Sequence, residues 1–459
     1  MLTEKLLWKE GFELNRFQPK KVLLVRPMFE HKDLKPYPPT SLVVLAPHFK
    51  YAEVFICDLQ AGENFRDALR IKPDLILFSG FTSQLNEINN LAKFAKDATP
   101  NVKTVAGGSG ITSSPEYAQS ILKDVELLIS GDGEEFAQNY LDLMNYKGIF
   151  STKRFDWKGY KIPDWNLIQN RRYIKNYCLA VETSRGCPYN CIFCTAHCVH
   201  GKQWRPRDPE NIVSEIKYLR YRYGCKLFYF PDDNATVDPK RWINLMQKIV
   251  EAKLDTKFHA PEGIQAHHLD FETLKLMKDA GFNNIYIGAE SGVQRVLDDV
   301  IDKGGLTVEK IEEVVKASVK IGLTINCFFV IGIVGETLEE VRQTVVFAEK
   351  MRKFGAYDCI VRDAIPIKGT RMYDVAKEKG FLAGETKDFS SNQTRHLLNT
   401  SEWNSSQIEE FVKLSHRQQA QHILRHKRGY MIRKGIPKLF NNPKGAVKRL
   451  IQLSKEGLK

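Results

Sequence analysis

Short apolar runs alternate along the chain with segments of helical spacing. After a polar lead, Lys21-Val-Leu-Leu-Val-Arg26 predicts a buried strand, and residues 52–57, 74–79, 102–106 and 126–130 read the same way. Between them, residues 65–71, 84–98 and 117–122 repeat apolar positions every three or four residues, the period of an amphipathic helix. Strand and helix signals taking turns predict a parallel sheet with helices on its faces. In such sheets ligands bind outside the carboxyl ends of the strands, where the Gly107-Gly108 and Gly131-Asp132-Gly133 turns fall.

Residues 151–178 carry few periodic apolar positions and read as a linker. The alternation then resumes, with strands expected at 179–182, 227–230, 258–260, 284–287, 324–330 and 359–362. Helices are expected at 211–221, 240–252, 271–280, 308–320 and 338–354. Six such units predict a partial βα barrel, whose chemistry sits at the C-terminal ends of its strands. The domain plan is therefore 1–150, a linker at 151–178, a barrel at 179–382 and a helical segment at 383–459.

With 459 residues, 43% of them apolar, the chain has material for more than one core. It has no apolar run of about 18 residues that would span a membrane, and Met1–Lys20 lacks the core of a signal peptide. The nine cysteines are odd in number and scattered, which argues against a disulfide framework. Four of them fall between Cys187 and Cys198, so metal in a reducing, cytoplasmic setting is the expectation. Net charge adds one localised feature. Of the total of +13, residues 411–459 hold 13 Lys/Arg against Glu456 alone, a local +12, so the remainder of the chain is close to neutral. This basic tail reads as two amphipathic helices divided by Pro437 and Pro443. They would pack on the barrel or dock an acidic partner or an anionic membrane surface. Tyr430 and Phe440 are too few aromatics to favour nucleic acid.

The chemistry concentrates in Arg185-Gly-Cys187-Pro-Tyr-Asn-Cys191-Ile-Phe-Cys194, directly after the first barrel strand. Three thiolates on one short irregular loop select zinc or an iron–sulfur cluster. Cys198, four residues further on, has ligand-like spacing too, which keeps a zinc knuckle or a four-cysteine electron carrier among the readings. Downstream, each strand end combines glycine with a polar side chain: Pro231-Asp232-Asp233, Gly288-Ala-Glu290-Ser291-Gly292 followed by Lys303-Gly304, Gly332-Ile-Val-Gly335-Glu336 and Pro366-Ile-Lys-Gly369-Thr370.

Taken in order, these segments resemble the radical S-adenosylmethionine (SAM) superfamily over roughly residues 20–375, in the branch that carries a cobalamin domain. The resemblance implies a [4Fe–4S] cluster on Cys187, Cys191 and Cys194, with one iron left open to chelate SAM. Phe193 would pack near adenine. Glu290 and Ser291 would contact the ribose or methionyl part of SAM, and Gly332 would lie at the same cofactor. Asp232 or Asp233 would lie near the SAM amino group or the substrate as the catalytic carboxylate. The sequence departs from the family where Lys368 replaces a second proline, and where the third strand ends in Glu262-Gly-Ile-Gln265 rather than an arginine segment.

The first domain resembles a Rossmann-like cobalamin-binding domain. Its carried-over positions are Pro38, Pro39, Thr82, Gly107, Gly108, Gly131, Gly133 and Glu134. The Asp-x-His-x-x-Gly segment that supplies a histidine to cobalt in many cobalamin proteins is absent, and His31-Lys-Asp33 does not match it. Cobalamin held without a protein histidine suits methyl transfer. The resemblance thus implies a C-methyltransferase that uses SAM and methylcobalamin on an unactivated carbon, with a protein side chain as the expected acceptor and a flavodoxin- or ferredoxin-type protein as reductant. Two alternatives remain: a cyclase or rearrangement enzyme acting without methyl transfer, and a non-catalytic iron–sulfur protein.

Overall fold

The structure, a computed structural model, describes residues 21–28, 37–144, 146–168, 178–383 and 397–426. The chain folds into two compact units. His31, Asp33 and the basic tail beyond residue 426 lie outside the described residues, as do 384–396 of the expected loop.

The first unit is a six-stranded parallel sheet: β1 (Lys21–Arg26), β2 (Glu53–Asp58), β3 (Leu75–Ser79), β4 (Lys103–Gly107), β5 (Leu127–Ser130) and β6 (Gly148–Ser151). Their order is β2-β1-β3-β4-β5-β6, so the winding reverses between β1 and β3, where doubly wound sheets open a binding crevice. Val22–Val25 are fully buried because a parallel strand is covered on both faces. One side of the core gathers Leu23, Ile76, Phe78, Ile88 and Leu128. Strand β6 was not expected. It lies at the sheet edge, is only half-buried and begins with Gly148, so no apolar run announces it. Its last residue crosses the boundary drawn at 150.

The second unit holds the second parallel sheet, of β7 (Leu179–Ala180), β10 (Leu227–Tyr229), β11 (Lys257–Ile264), β12 (Phe282–Glu290), β13 (Thr324–Ile331) and β14 (Asp358–Asp363). Between β7 and β10 a small antiparallel hairpin pairs β8 (Ser184–Arg185) with β9 (Arg205–Pro206). The sheet order, β14-β13-β12-β11-β10-β7, is the sequential order of a partial barrel. Helices 209–223, 239–252, 271–279, 308–320 and 338–353 follow the expected spacing, and Asp208, Asp238, Asp270, Thr307 and Thr337 cap their first turns. On the helix-facing side, Phe258 stacks with Phe228, Phe230 and Phe282, and Trp242 meets Phe230 and Phe282 edge-on.

The helix Ser405–His426 returns over β14. Arg352, fully buried on helix 338–353, ties it down by donating to Gln419, to the Ser415 hydroxyl and to the Cys359 carbonyl. Ile408 on this returning helix also lies against Gly332, whose added Cβ would come 3.1 Å from it. The left-handed φ of +74° and this close approach together require glycine there.

Candidate active site

The cysteine loop leaves the hairpin at Gly186, where φ is +85° and a Cβ would strike the Gln203 carbonyl at 2.5 Å. Only glycine lets the chain turn here, and Cys187 follows. The loop is pinned at several points. Gly186 N–H donates to Asp233 at 3.0 Å, Ile192 N–H to the Ile301 carbonyl at 3.0 Å, and Met372 N–H to the Ile192 carbonyl at 2.9 Å. Asn190 donates to Asp302 at 3.1 Å. Tyr189 meets His267 at 2.9 Å and His268 at 3.4 Å, and burial helps hold His267 down to about 4.

Cys187 lies near enough to raise the pKa of Cys191 and Cys194, and Cys191 near enough to raise that of Cys194. Burial, and then the neighbouring sulfurs and acids, push Cys194 up to about 12. Cys191 is pushed up to about 11 by burial, against the pull of Lys303. Cys194 Sγ accepts from the Ala196 N–H at 3.4 Å, and Cys187 Sγ from Asn234 at 3.7 Å. Among the described residues no three His, Cys, Asp or Glu converge on one ion. A cubane asks for something different, since each thiolate meets its own iron. Soft thiols grouped on a loop, with N–H donors aimed at two sulfurs and a buried cation beside them, fit an iron–sulfur cluster. Cys198 stands apart, its thiol donating to the Gly369 carbonyl at 2.9 Å.

Asp232, expected at SAM or substrate, is 2% exposed and accepts three hydrogen bonds, from Thr183 N–H (3.1 Å), Thr183 Oγ1 (2.7 Å) and Ser184 Oγ (2.6 Å). Burial still pushes it up to about 6. It clamps the end of β10 to the hairpin that launches the cysteine loop. Asp233 holds Gly186 from the same strand end, and its pKa is raised by burial. Ser291 is fully buried, and its hydroxyl faces Thr344 of helix 338–353 at 2.9 Å and accepts from Val293 N–H. Gly332, as shown, spends its missing side chain on Ile408. Phe193 is half-buried beside Cys194.

Glu290 closes β12 with φ at +61°, a left-handed conformation that costs a non-glycine residue roughly 1–2 kcal/mol. That turn brings its carboxylate 2.6 Å from Lys303 Nζ, both residues under a tenth exposed. Burial pulls Lys303 down, but Glu290 and the Cys191 and Cys194 thiols outweigh it and leave the ammonium raised. Sequence reading registered Lys303-Gly304 and gave it no role. The pairing depends on the turn at Glu290 and on the π-helical stretch Val296–Ile301 between the partners, and neither has a sequence pattern.

Glu336 is fully buried, and burial pushes it up to about 8, with Glu340 adding to the rise and Arg295 opposing it. Its neutral form is therefore favoured in the fold. The associated stability is present below the ordinary value of 4.5 and is lost as pH rises through about 8. Glu336→Gln should melt progressively above wild type as pH climbs from 5 to 9, by a few kcal/mol at most. A melting-temperature difference that stays constant over that range would refute a neutral Glu336.

In the first unit, the loops after β3 and β4 interlock. Gly80 N–H donates to the Gly107 carbonyl and Gly110 N–H to the Gly80 carbonyl. A Cβ on Gly108 (φ +99°) would lie 2.9 Å from the Gly80 backbone. The glycine at 108 thus serves loop-to-loop packing, and a side chain there would break the rim itself before it met any ligand. Gly131 (φ +119°) leaves no room beside Thr152, a Cβ on Gly133 would lie 3.2 Å from Leu45, and Glu134 is buried at the start of helix 134–143. Thr82 is half-buried after β3. Pro39 opens helix 40–45, whereas Tyr37 and Pro38 belong to the second unit. His48, the one histidine of the first unit, is fully buried, with its ring against Gln138 and Phe155. Among the described residues, the loops at the β1/β3 crevice carry no histidine.

Two family models match: the radical SAM superfamily over residues 181–348, and the B12 binding domain over 34–139. An uncharacterized methyltransferase of Pyrococcus horikoshii is 32% identical over 372 residues, 75% of this chain and 80% of the relative. The chain belongs to the radical SAM superfamily, in its B12-binding branch. An anaerobic magnesium-protoporphyrin IX monomethyl ester cyclase of Rubrivivax gelatinosus is 24% identical, covering 68% of this chain and 62% of the cyclase. The fold matches the radical SAM methyltransferase TsrM from Kitasatospora setae, with TM-score 0.65 and 18% identity over 79% of this chain and 77% of that one. This radical SAM methyltransferase family works with a [4Fe–4S] cluster, SAM and cobalamin, and the chain is one of its enzymes.

Proposed function

We propose that this radical SAM enzyme is a C-methyltransferase that moves a methyl group from SAM, by way of cobalamin, to an unactivated carbon. The observation that carries this reading is the buried Lys303–Glu290 pair beside Cys191 and Cys194, at the strand ends of a barrel whose chain also carries a B12-binding fold lacking the Asp-x-His-x-x-Gly segment. When bound, the cluster with SAM supplies hydrogen abstraction, and cobalamin supplies the methyl group.

The chain's own residues hold and orient. Cys187, Cys191 and Cys194 would carry the cluster. Asp232 and Asp233, through Thr183, Ser184 and Gly186, fix the loop that presents them, and so act as positioning residues. Lys303 offers a desolvated ammonium for a carboxylate, the group by which an amino acid such as SAM is grasped, while Glu290 offers an acceptor for hydroxyls or an ammonium. The buried setting excludes water and strengthens both contacts.

With SAM labelled on its methyl group, hydroxocobalamin and a low-potential reductant, label should appear in cobalamin, and 5′-deoxyadenosine should form. A second reading, cyclisation without methyl transfer, draws on the likeness to the R. gelatinosus cyclase. Formation of 5′-deoxyadenosine with no label ever reaching cobalamin would favour that reading and end ours.

A further inference from the structure

The face of the second sheet opposite its helices carries a row of rings. Side chains alternate across a strand. Phe228, Phe258 and Phe282 turn to the helices, so Tyr229 and His259 turn the other way. On β12 a register shift after Phe282 reverses the alternation, so Tyr286 lies on the His259 side and, with Phe328 on β13, continues the row. The rings touch in sequence. Tyr37 tilts on Tyr229 with centroids 5.1 Å apart, and its hydroxyl lies 3.4 Å from His259 Nε2. His259 meets Tyr286 at 5.5 Å, and Tyr286 stacks on Phe328 at 5.5 Å and 20°. His259, Tyr286 and Phe328 are half-buried, whereas helix-facing Phe258, Ile285 and Phe329 are buried.

One strand further on, Arg362 falls on the same face. It pairs in register with Val330, two residues along β13 from Phe328, while its neighbours Cys359 and Val361 are buried on the helix side. Arg362 is exposed and makes no hydrogen bond or ion pair among the described residues. Strands lie about 4.8 Å apart, so the row from Tyr229 to Phe328 runs roughly 14 Å. That is longer than one benzene ring and ends in an unclaimed guanidinium.

We infer that this face seats the methyl acceptor, a small molecule with an extended flat conjugated ring system and a carboxylate that reaches Arg362. Flat rings gain from stacked and edge contacts along such a wall, and a guanidinium clamps a carboxylate with two parallel hydrogen bonds. Tyr229 is the last residue of β10, and Tyr286 precedes Glu290 by four residues on β12, so an acceptor lying along the row and reaching past it meets the end from which the cysteine loop and Glu290 emerge. The inference rests on the methyl-transfer reading, because it names that reaction's acceptor.

The test is binding, without SAM or reductant, to the full-length cluster-reconstituted protein. The probes are 1-pyrenecarboxylate, 1-pyrenecarboxamide and benzoate, followed by fluorescence or calorimetry. Pyrenecarboxylate should bind at least about ten-fold more tightly than benzoate. Arg362→Gln and Tyr286→Leu should each weaken it about ten-fold, and the carboxamide should be indifferent to Arg362→Gln. Thermal melts confirm that the variants fold. Equal binding of pyrenecarboxylate and benzoate, or a pyrenecarboxylate affinity unmoved by Arg362→Gln, would overturn the assignment. Because no turnover is read, that failure is separate from a failure to label cobalamin.

Discussion

Replacing Cys187, Cys191 or Cys194 with alanine should abolish SAM cleavage and bring iron down from about four per chain, the content of one cubane, toward background. Cys198→Ala should keep both. The contrast rests on geometry. The first three thiols share one loop pinned by Asp233, Ile301 and Met372, with N–H donors on two of the sulfurs. The Cys198 thiol is engaged with the Gly369 carbonyl. Iron analysis and 5′-deoxyadenosine formation after anaerobic reconstitution decide the matter. A Cys198→Ala protein that loses its iron, or an alanine variant of the trio that keeps it, would reassign the ligands.

Nearly as large an effect is expected at Lys303. Lys303→Met removes the partner of a carboxylate that remains buried, and breaking such a pair costs about 3–5 kcal/mol. If that cost falls on the SAM-bound state, cleavage drops by at least about 100-fold. The double variant Lys303→Met/Glu290→Gln removes the stranded charge. It should recover thermal stability and still fail to cleave SAM, which separates a binding role from a merely structural one. A single variant that cleaves SAM within a few-fold of wild type would remove Lys303 from the site.

What could be read in advance was local. Val22–Val25 and Cys327–Val330 are so uniformly apolar that a buried strand fits them best, and the cysteine spacing needs only eight residues to be recognised. Edges and directions escaped. Strand β12 starts at Phe282, two residues before the expected start, because Asn283 and Asn284 look like a turn. Asn284 nonetheless pairs in register with Thr324, and Asn326 on β13 donates to it. Ser291 sits in a motif that marks a strand end, but a motif says nothing about which way a hydroxyl points, and Thr344 claims it. Glu290 was placed at the site from its motif, whereas Lys303, 13 residues away, was not given a role. A contact made by a left-handed turn and a π-helical stretch has no period to detect. Likewise, glycines at 107 and 108 were read as ligand approach, and the structure shows at 108 two loops locking together.

The uneven ladder of the second sheet has a bearing on how the enzyme is assembled. Strands β12, β13 and β14 share six registered residue pairs at each junction, while β7 meets β10 over two and β10 meets β11 over three. The cysteines hang from the short end. Opening free energy follows the backbone pairing and burial that must be given up, so this corner unzips while the long strands stay closed. A metallocofactor can then be delivered to a chain that is already folded everywhere else. A cluster held by all three cysteines would tie that corner down, which would make metal occupancy rather than completion of the barrel the last step of maturation.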